Sequence, residues 1–231
     1  YLLGRQCAPQ WSSDARCIAR SGSVAWCAHL VTTEHEATLV KKGERVTLVI
    51  ADEQTFSTDT VVIAAGAWSG QMAETLGLKL PVYPQRGQIM HLQGPEEASR
   101  WPIVVGFHFH YLLTFPGGRV VVGATREDHA GFNVCETAGG VHEVLSEALR
   151  VAPGLADAVV LEVRIGLRPA TPDGLPVLGR VPGFANAFLV TGHGPSGLQL
   201  GPYSGALIAD LVQGNQPRLD LSPFAAERFQ S

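Results

Sequence analysis

From Arg45 the chain alternates. Val46, Leu48 and Ile50 are separated by polar positions, residues 51–54 supply a turn, and residues 55–58 run back, which predicts a β-hairpin. Alternation then gives way to an unbroken apolar run, Val61-Val62-Ile63-Ala64-Ala65-Gly66. Such a run predicts a strand buried on both faces, parallel and internal, with ligands expected beyond its carboxyl end. Residues 82–92, 111–115 and 119–125 read as further strands, the last two joined by Pro116-Gly117-Gly118, so a largely antiparallel sheet is expected. The period lengthens at Val141, Val144, Leu145, Ala148 and Leu149, which share one helical stripe that Pro153-Gly154 stops; this helix should cover one face of the sheet. Residues 159–167 form another strand, followed by a rigid, irregular stretch at residues 168–176 that carries Pro169, Pro172 and Pro176. Ahead of all these, residues 12–21 predict a short helix closed by Gly22, and residues 24–32 a strand.

A last strand, Phe188-Leu189-Val190-Thr191, feeds the turn Gly192-His193-Gly194-Pro195-Ser196-Gly197 and a small-residue helix reaching about Gln213. Glycines let the backbone approach a ligand closely, and the N–H groups at a helix start favour an anion or developing negative charge. The spacing spells G-x-G-x-x-G. A dinucleotide-binding βαβ unit, however, needs a returning strand with an acidic end, and residues 215–231 contain Pro217 and Pro223 instead, so the turn reads as a cofactor lid. Gly197, Gly201, Gly205 and Ala209 leave one face of the helix nearly bare, suited to another backbone or a flat ligand. Each such glycine costs about 1 kcal/mol relative to alanine, which implies a packing reason.

Charged residues make up only 16% of the 231, against a usual share of about 25%. The surface is short of charge for a free-standing protein, compatible with coverage by a partner. The net charge of −4 and the absence of a basic cluster, with lysine only at Lys41, Lys42 and Lys79, argue against nucleic acid and anionic membrane and favour a small-molecule partner. Cys7, Cys17, Cys27 and Cys135 form no C-x-x-C pair and are read as free thiols of a reducing compartment. No apolar stretch approaches the ~20 residues of a membrane span, and Tyr1-Leu2-Leu3-Gly4-Arg5 lacks the apolar body of a signal peptide, so a soluble, cytoplasmic protein is expected.

Five segments stand in one order: residues 61–69 (VVIAAGAWS), residues 84–88 (PQRGQ), Gly123-Ala124-Thr125, residues 166–180 (GLRPATPDGLPVLGR) and residues 191–214 (TGHGPSGLQLGPYSGALIADLVQG). In that order and spacing they resemble the D-amino-acid oxidase and glycine oxidase family of FAD-dependent oxidoreductases. The resemblance implies an α+β or α/β fold: the tail of an FAD-binding Rossmann-like domain at residues 1–80, a largely antiparallel substrate-binding sheet with covering helices at residues 81–165, and a return to the FAD domain at residues 166–231. In the family a G-x-G-x-x-G βαβ unit near the N-terminus holds the ADP half of FAD, and nothing like it precedes Val31 here. The chain therefore resembles the rear portion of such an enzyme, either a shortened product or a subunit whose partner chain supplies the front. The resemblance implies non-covalent FAD and oxidation of an amino acid or secondary amine by hydride transfer from the α-carbon to flavin N5, leaving an imine. The alternative is a cofactor-less partner subunit or inactive product that keeps the fold.

The site residues follow position by position. Arg168 matches the arginine that grips the substrate carboxylate; a guanidinium fork gives two parallel charge-assisted bonds to a carboxylate, although a structural ion pair would also satisfy it. Tyr111 falls where relatives carry a tyrosine that hydrogen-bonds the substrate, although tyrosines at sheet edges are common. Gly192, His193, Gly194, Gly197, Leu198 and Gln199 match the turn laid along the flavin's pyrimidine edge, where backbone N–H groups stabilise negative charge. Val31, Ala65, Gly66 and Gly87 match backbone positions near the cofactor. Three departures narrow the chemistry. Glycine oxidase relatives carry a second arginine in the lid where Pro195 stands here, so carboxylate binding rests more heavily on Arg168. No cysteine accompanies residues 171–174, so a covalent flavin is not expected. No lysine follows Lys79, which leaves a quinone as plausible an acceptor as oxygen. His108 and His110 alternate and should point to one side of a strand, lining a pocket or facing solvent; no motif supplies the third ligand that a metal would need. Ser196 fails the G-x-S-x-G elbow because Leu198 replaces its last glycine. Asp173-Gly174 is a turn signal.

Overall fold

In the computed structural model, residues 37–51 and 53–230 are described. The helix and strand expected at residues 12–21 and 24–32, and Val31, lie outside them. In chain order the elements are β1 (Ala37–Lys42), β2 (Arg45–Ala51), β3 (Gln54–Ser57), β4 (Val61–Ile63), α1 (Ser69–Glu74), β5 (Tyr83–Gln93), β6 (Val104–Val105), β7 (Tyr111–Phe115), β8 (Arg119–Gly123), α2 (Ala138–Val151), β9 (Val159–Ala170), β10 (Val177–Arg180), β11 (Ala187–Thr191) and α3 (Gly197–Val212).

The alternating residues after Arg45 form the antiparallel hairpin β2–β3, to which β1 adds a third strand. The run from Val61 is shorter than its composition suggests: only Val61–Ile63 are strand. It pairs in parallel with β11, as expected, but it is the edge of the sheet β10-β11-β4 among the described residues, and Val62 is 42% exposed. Burial on both faces is thus corrected to burial of Ile63 alone within this run. Asn186 ties the two small sheets together. Its buried side chain donates to the carbonyls of Val46 and Asp59 and accepts from the Val46 N–H. Around it, Val46, Ile63, Leu76, Val177 and Leu189 form one core cluster.

The third sheet, of five strands in the order β6-β7-β8-β5-β9, is antiparallel throughout. Strand alternation gives its two faces different fates. Met90, Leu92, Leu112, Val120 and Val122 turn to one side and bury against Val144 and Ala148 of α2, the stripe expected to cover a sheet face. Full burial of each such side chain is worth about 1.5–3 kcal/mol. Thr137 caps α2 by accepting from the Gly140 N–H.

Two further expectations are corrected. Arg168, Pro169 and Ala170 are not irregular; β9 continues through them, with Pro169 opposite Pro84. His108 and His110 do not share a strand face. Residues 107–109 form a 3-10 turn in which His108 and Phe109 both take left-handed φ values, +52° and +63°. His108 is exposed and meets Glu147, whereas His110 is buried and meets Glu143. Gly201 and Gly205 of α3 have no atom within 4 Å of where a Cβ would stand, so among the described residues the bare face of this helix packs on nothing at these positions.

The C-terminal segment is clamped back onto the turn at residues 171–175. Arg228 Nε lies 2.7 Å from Asp173 Oδ2, and the same guanidinium donates to the carbonyls of Leu175, Phe224 and Ala225. Arg228→Ala is expected to cost about 1–2 kcal/mol, most of it from the lost carbonyl bonds because the partly exposed ion pair is screened. The Arg228 bond holds the Asp173 carboxyl below its ordinary pKa. A depressed carboxylate stabilises the fold above its unfolded pKa, and that contribution is lost as pH falls through the folded value. Thermal melts should therefore show parent and variant converging as pH drops below about 4, the ordinary aspartate range; a constant gap from neutral to acid pH would refute the ion-pair share.

Candidate active site

The face of the five-stranded sheet turned away from α2 is stripped of side chains where β5, β8 and β9 meet. Gly87 pairs with Gly166, and Gly123 lies between Ile89 of β5 and Tyr111 of β7. Arg168, two residues beyond Gly166 on the same face, folds back across this floor: a Cβ at Gly87 would stand 2.5 Å from its Nη2 and 2.6 Å from its Cζ. Gly87 thus makes the space in which the guanidinium lies. Arg168 Nη1 donates to the Thr125 carbonyl at 2.9 Å, and no carboxylate pairs with Arg168 among the described residues. Burial lowers its pKa, as expected for a cation withdrawn from water without an anion. Burial also raises the pKa of Tyr111, with the Arg168 charge acting in the opposite direction, so the phenol keeps its proton and remains a hydrogen-bond donor.

Arg168 and Tyr111 open onto a cleft of about 510 Å³ whose other walls include Arg126, Gly194, Pro195 and Leu198. The far wall is the glycine turn. Gly192 (φ +77°) and Gly194 (φ +53°) take left-handed conformations that swing the chain from β11 into α3. Gly192 is also held tightly, since a Cβ there would meet Thr171 Cγ2 at 2.8 Å. His193 hydrogen-bonds Ser204 at 2.9 Å, and burial lowers its pKa, keeping the imidazole neutral. No side chain caps the start of α3, and Leu198 on its first turn is 97% exposed. The N–H groups of that turn, where Gly197, Leu198 and Gln199 stand, have no side-chain cap, and Gly197 and Leu198 line the cleft. Thr191 Oγ1 donates to the Gly66 carbonyl at 3.0 Å and so joins the carboxyl ends of β11 and β4. The 3-10 turns Gly66–Trp68 and Gly194–Ser196 both pack on β9.

Of the residues singled out in the sequence, Arg168, Tyr111, Gly194, Gly197 and Leu198 therefore surround one cleft. Gly87 lies beneath Arg168. Ala65 and Gly66 lie at the end of β4, Gly192 and His193 behind the lid, and Gln199 on the exposed first turn of α3. Two features were not singled out. Arg126 lines the cleft beside Phe109; its signal was present, since it is the only lysine or arginine between Arg119 and Arg150. The other is a polar knot behind the site. Glu127 accepts from Arg86, Gln88 and Thr125, while Gln88 also accepts from the Thr137 N–H and donates to the Thr137 hydroxyl. Arg86 and Gln88 belong to the PQRGQ segment and Thr125 to Gly123-Ala124-Thr125, but no periodic pattern shows that these segments meet at Glu127.

Known proteins resemble this chain over most of its length. The family described as FAD dependent oxidoreductase (DAO) matches residues 28–211. The uncharacterized oxidoreductase YurR of Bacillus subtilis (strain 168) is 46% identical over 190 residues, covering 81% of this chain and 51% of its own length. Glycine oxidase of Pseudomonas putida is 38% identical over 188 residues, again 81% of this chain and 51% of that protein. The crystal structure of iminodiacetate oxidase (IdaA) from Chelativorans sp. BNC1 superimposes with a TM-score of 0.78 at 42% identity, covering 83% of this chain and 52% of that one. The chain spans about half the length of these relatives. The mixed α/β architecture with its antiparallel sheet is the one they share with it, and the matched region takes in the floor, the arginine and the lid: the chain belongs to the FAD dependent oxidoreductase family.

Proposed function

We propose that this chain forms the substrate side and flavin lid of an FAD-dependent enzyme that oxidises an amino acid or a secondary amine. The observation that carries the reading is Arg168: a half-buried guanidinium without a carboxylate partner among the described residues, laid over a glycine floor and open to a cleft. A cation so placed needs an anion, and a substrate carboxylate matches its planar fork. Glycine oxidase of Pseudomonas putida and the iminodiacetate oxidase, both at least 38% identical to this chain, support the substrate class.

The residues present fit a flavin. Gly66, Gly166 and Gly194 each leave open space where a Cβ would stand, so a flat ring system can approach the backbone there. The uncapped start of α3 offers N–H donors to an electron-rich ring edge. When bound, FAD supplies the two-electron acceptance that no side chain of this chain can provide. The protein's own part is binding and orientation: Arg168 fixes the carboxylate, the protonated Tyr111 donates a hydrogen bond to the substrate, and Leu198 and Pro195 wall the cleft. In this reading the ADP half of FAD is held by a βαβ unit outside these 231 residues, on the same polypeptide or on a partner chain, and the protein works in the cytoplasm. Cys135, half-buried, has no disulfide partner among the described residues, which suits a reducing compartment.

An absorption spectrum of the purified protein from about 350 to 500 nm, followed by anaerobic addition of D-amino acids, glycine, sarcosine and proline, tests the proposal. A flavin band that bleaches with one of them is the expected result. A protein that stays colourless after added FAD, with its partner segment present, would refute it.

A further inference from the structure

Arg168 is not the only guanidinium in the cleft. Arg126 follows β8 in the segment that also carries Thr125, whose carbonyl holds Arg168, and it lines the same cavity. Its Cζ lies 4.5 Å from the centre of the Phe109 ring. Phe109 and its neighbour His108 hold left-handed backbones, an unfavourable state for both residue types that presents the ring at the cleft mouth. The carboxylates beside Arg126 in sequence are committed elsewhere: Glu127 to Arg86, Gln88 and Thr125, and Asp128 to Gln85 at 2.7 Å. Among the described residues Arg126 has no acidic partner. Its charge also reaches Arg168, where it adds to burial in lowering the pKa.

We infer that Arg126 is a specificity residue and that the substrate is a dicarboxylic amine, one carboxylate on Arg168 and the second, at the far end of the molecule, on Arg126. The inference rests on the proposed function and deepens it. Two like charges facing one cleft repel each other when it is empty, and a single carboxylate leaves one of them unanswered. A dianion answers both. Pro195, which lines the same cavity from the lid, brings no competing charge. Stacking on Phe109 pre-orients the exposed guanidinium and lowers the entropy lost on binding.

The test is isothermal calorimetry on the flavin-loaded enzyme with acids that lack an oxidisable amine: acetate and butyrate against succinate and glutarate. The dicarboxylates should bind about tenfold more tightly than the monocarboxylates. Arg126→Gln should abolish that advantage, weakening the dicarboxylates about tenfold and butyrate much less, and Arg126→Lys should restore part of it. Arg168→Gln should weaken both classes. Equal affinity for the two classes in the parent, or equal weakening of both in Arg126→Gln, would overturn the inference while leaving the amine-oxidation reading intact. Butyrate binding that survives Arg168→Gln would overturn both.

Discussion

Arg168→Ala is expected to lower kcat/KM for the amine substrate about a hundredfold in the flavin-loaded enzyme, with the flavin still bound and the melting temperature close to that of the parent. Charge-assisted hydrogen bonds contribute about 1.5–3 kcal/mol each, and a fork makes two, so a loss near 3 kcal/mol is conservative. Stability should change little, because the variant leaves no charge stranded: the guanidinium is the partly buried ion, and its one hydrogen bond among the described residues goes to the Thr125 carbonyl. Gly87→Ala refines the test from underneath. The added methyl would stand 2.5–2.6 Å from the guanidinium atoms and push the end of the side chain off the floor, without touching the substrate itself. Its effect should have the same sign but be smaller, roughly tenfold and mostly in KM, as for an interaction shared by ground and transition states. If kcat/KM is unchanged in both variants, the carboxylate clamp is wrong. If it falls in Arg168→Ala alone, the clamp stands, but the floor tolerates a methyl.

The strands that make this floor were legible from their apolar runs and from the turn residues between them. β5, β7 and β8 were recognised as apolar runs bounded by turn residues, and one face of them buries Met90, Leu92, Leu112, Val120 and Val122 in the cluster with α2. The continuation of β9 through Pro169 was not legible. A proline normally argues against a strand because it has no N–H to donate, but Pro169 lies opposite Pro84 at the sheet edge. Two prolines face each other only at a pair that exchanges no hydrogen bonds, so neither costs the ladder anything. The consequence for the site is direct: Arg168 stands on a strand and not on a loop, with its backbone fixed by β5.

At residues 107–110 the failure has another cause. Alternating histidines look like strand, yet two consecutive left-handed residues turn the chain, and neither of them is a glycine. The resemblance singled out Arg168 and the turn at residues 192–197 because their motifs are long and specific, and the fold brings both to one cleft. Arg126 was marked only by standing alone between Arg119 and Arg150, and that it lies across the cleft from Arg168 is a matter of tertiary structure. The knot behind the site depends on pairs such as Arg86 and Glu127 that are 41 residues apart, beyond the reach of any periodic signal.

That knot should dominate stability. Glu127→Ala is expected to cost about 3–5 kcal/mol, because it strands Arg86, whose side chain is 7% exposed, without the carboxylate 2.6 Å away. For a chain of this size that corresponds to a fall of roughly 10 °C in Tm. Glu127→Gln, which keeps an acceptor but not the charge, should fall between. Burial pushes the Glu127 carboxyl up, but the bonds from Arg86, Gln88 and Thr125 outweigh it, and the folded pKa lies below the ordinary glutamate value. The sign follows: Glu127 contributes stability above about pH 4.3, the unfolded pKa, and the contribution disappears as pH falls through the lower folded value. The difference in Tm between parent and Glu127→Ala should therefore be full at neutral pH and shrink steadily below pH 4; a gap that persists at the acid limit would mean that packing, not the charge, is what was removed. The same variant should also reach the site. Glu127 accepts from the Thr125 hydroxyl, the Thr125 carbonyl holds Arg168, and Arg126 lies between these two residues. A loosened knot should thus raise KM even at temperatures where the variant remains folded, whereas Arg228→Ala, which loosens only the C-terminal clamp, should not.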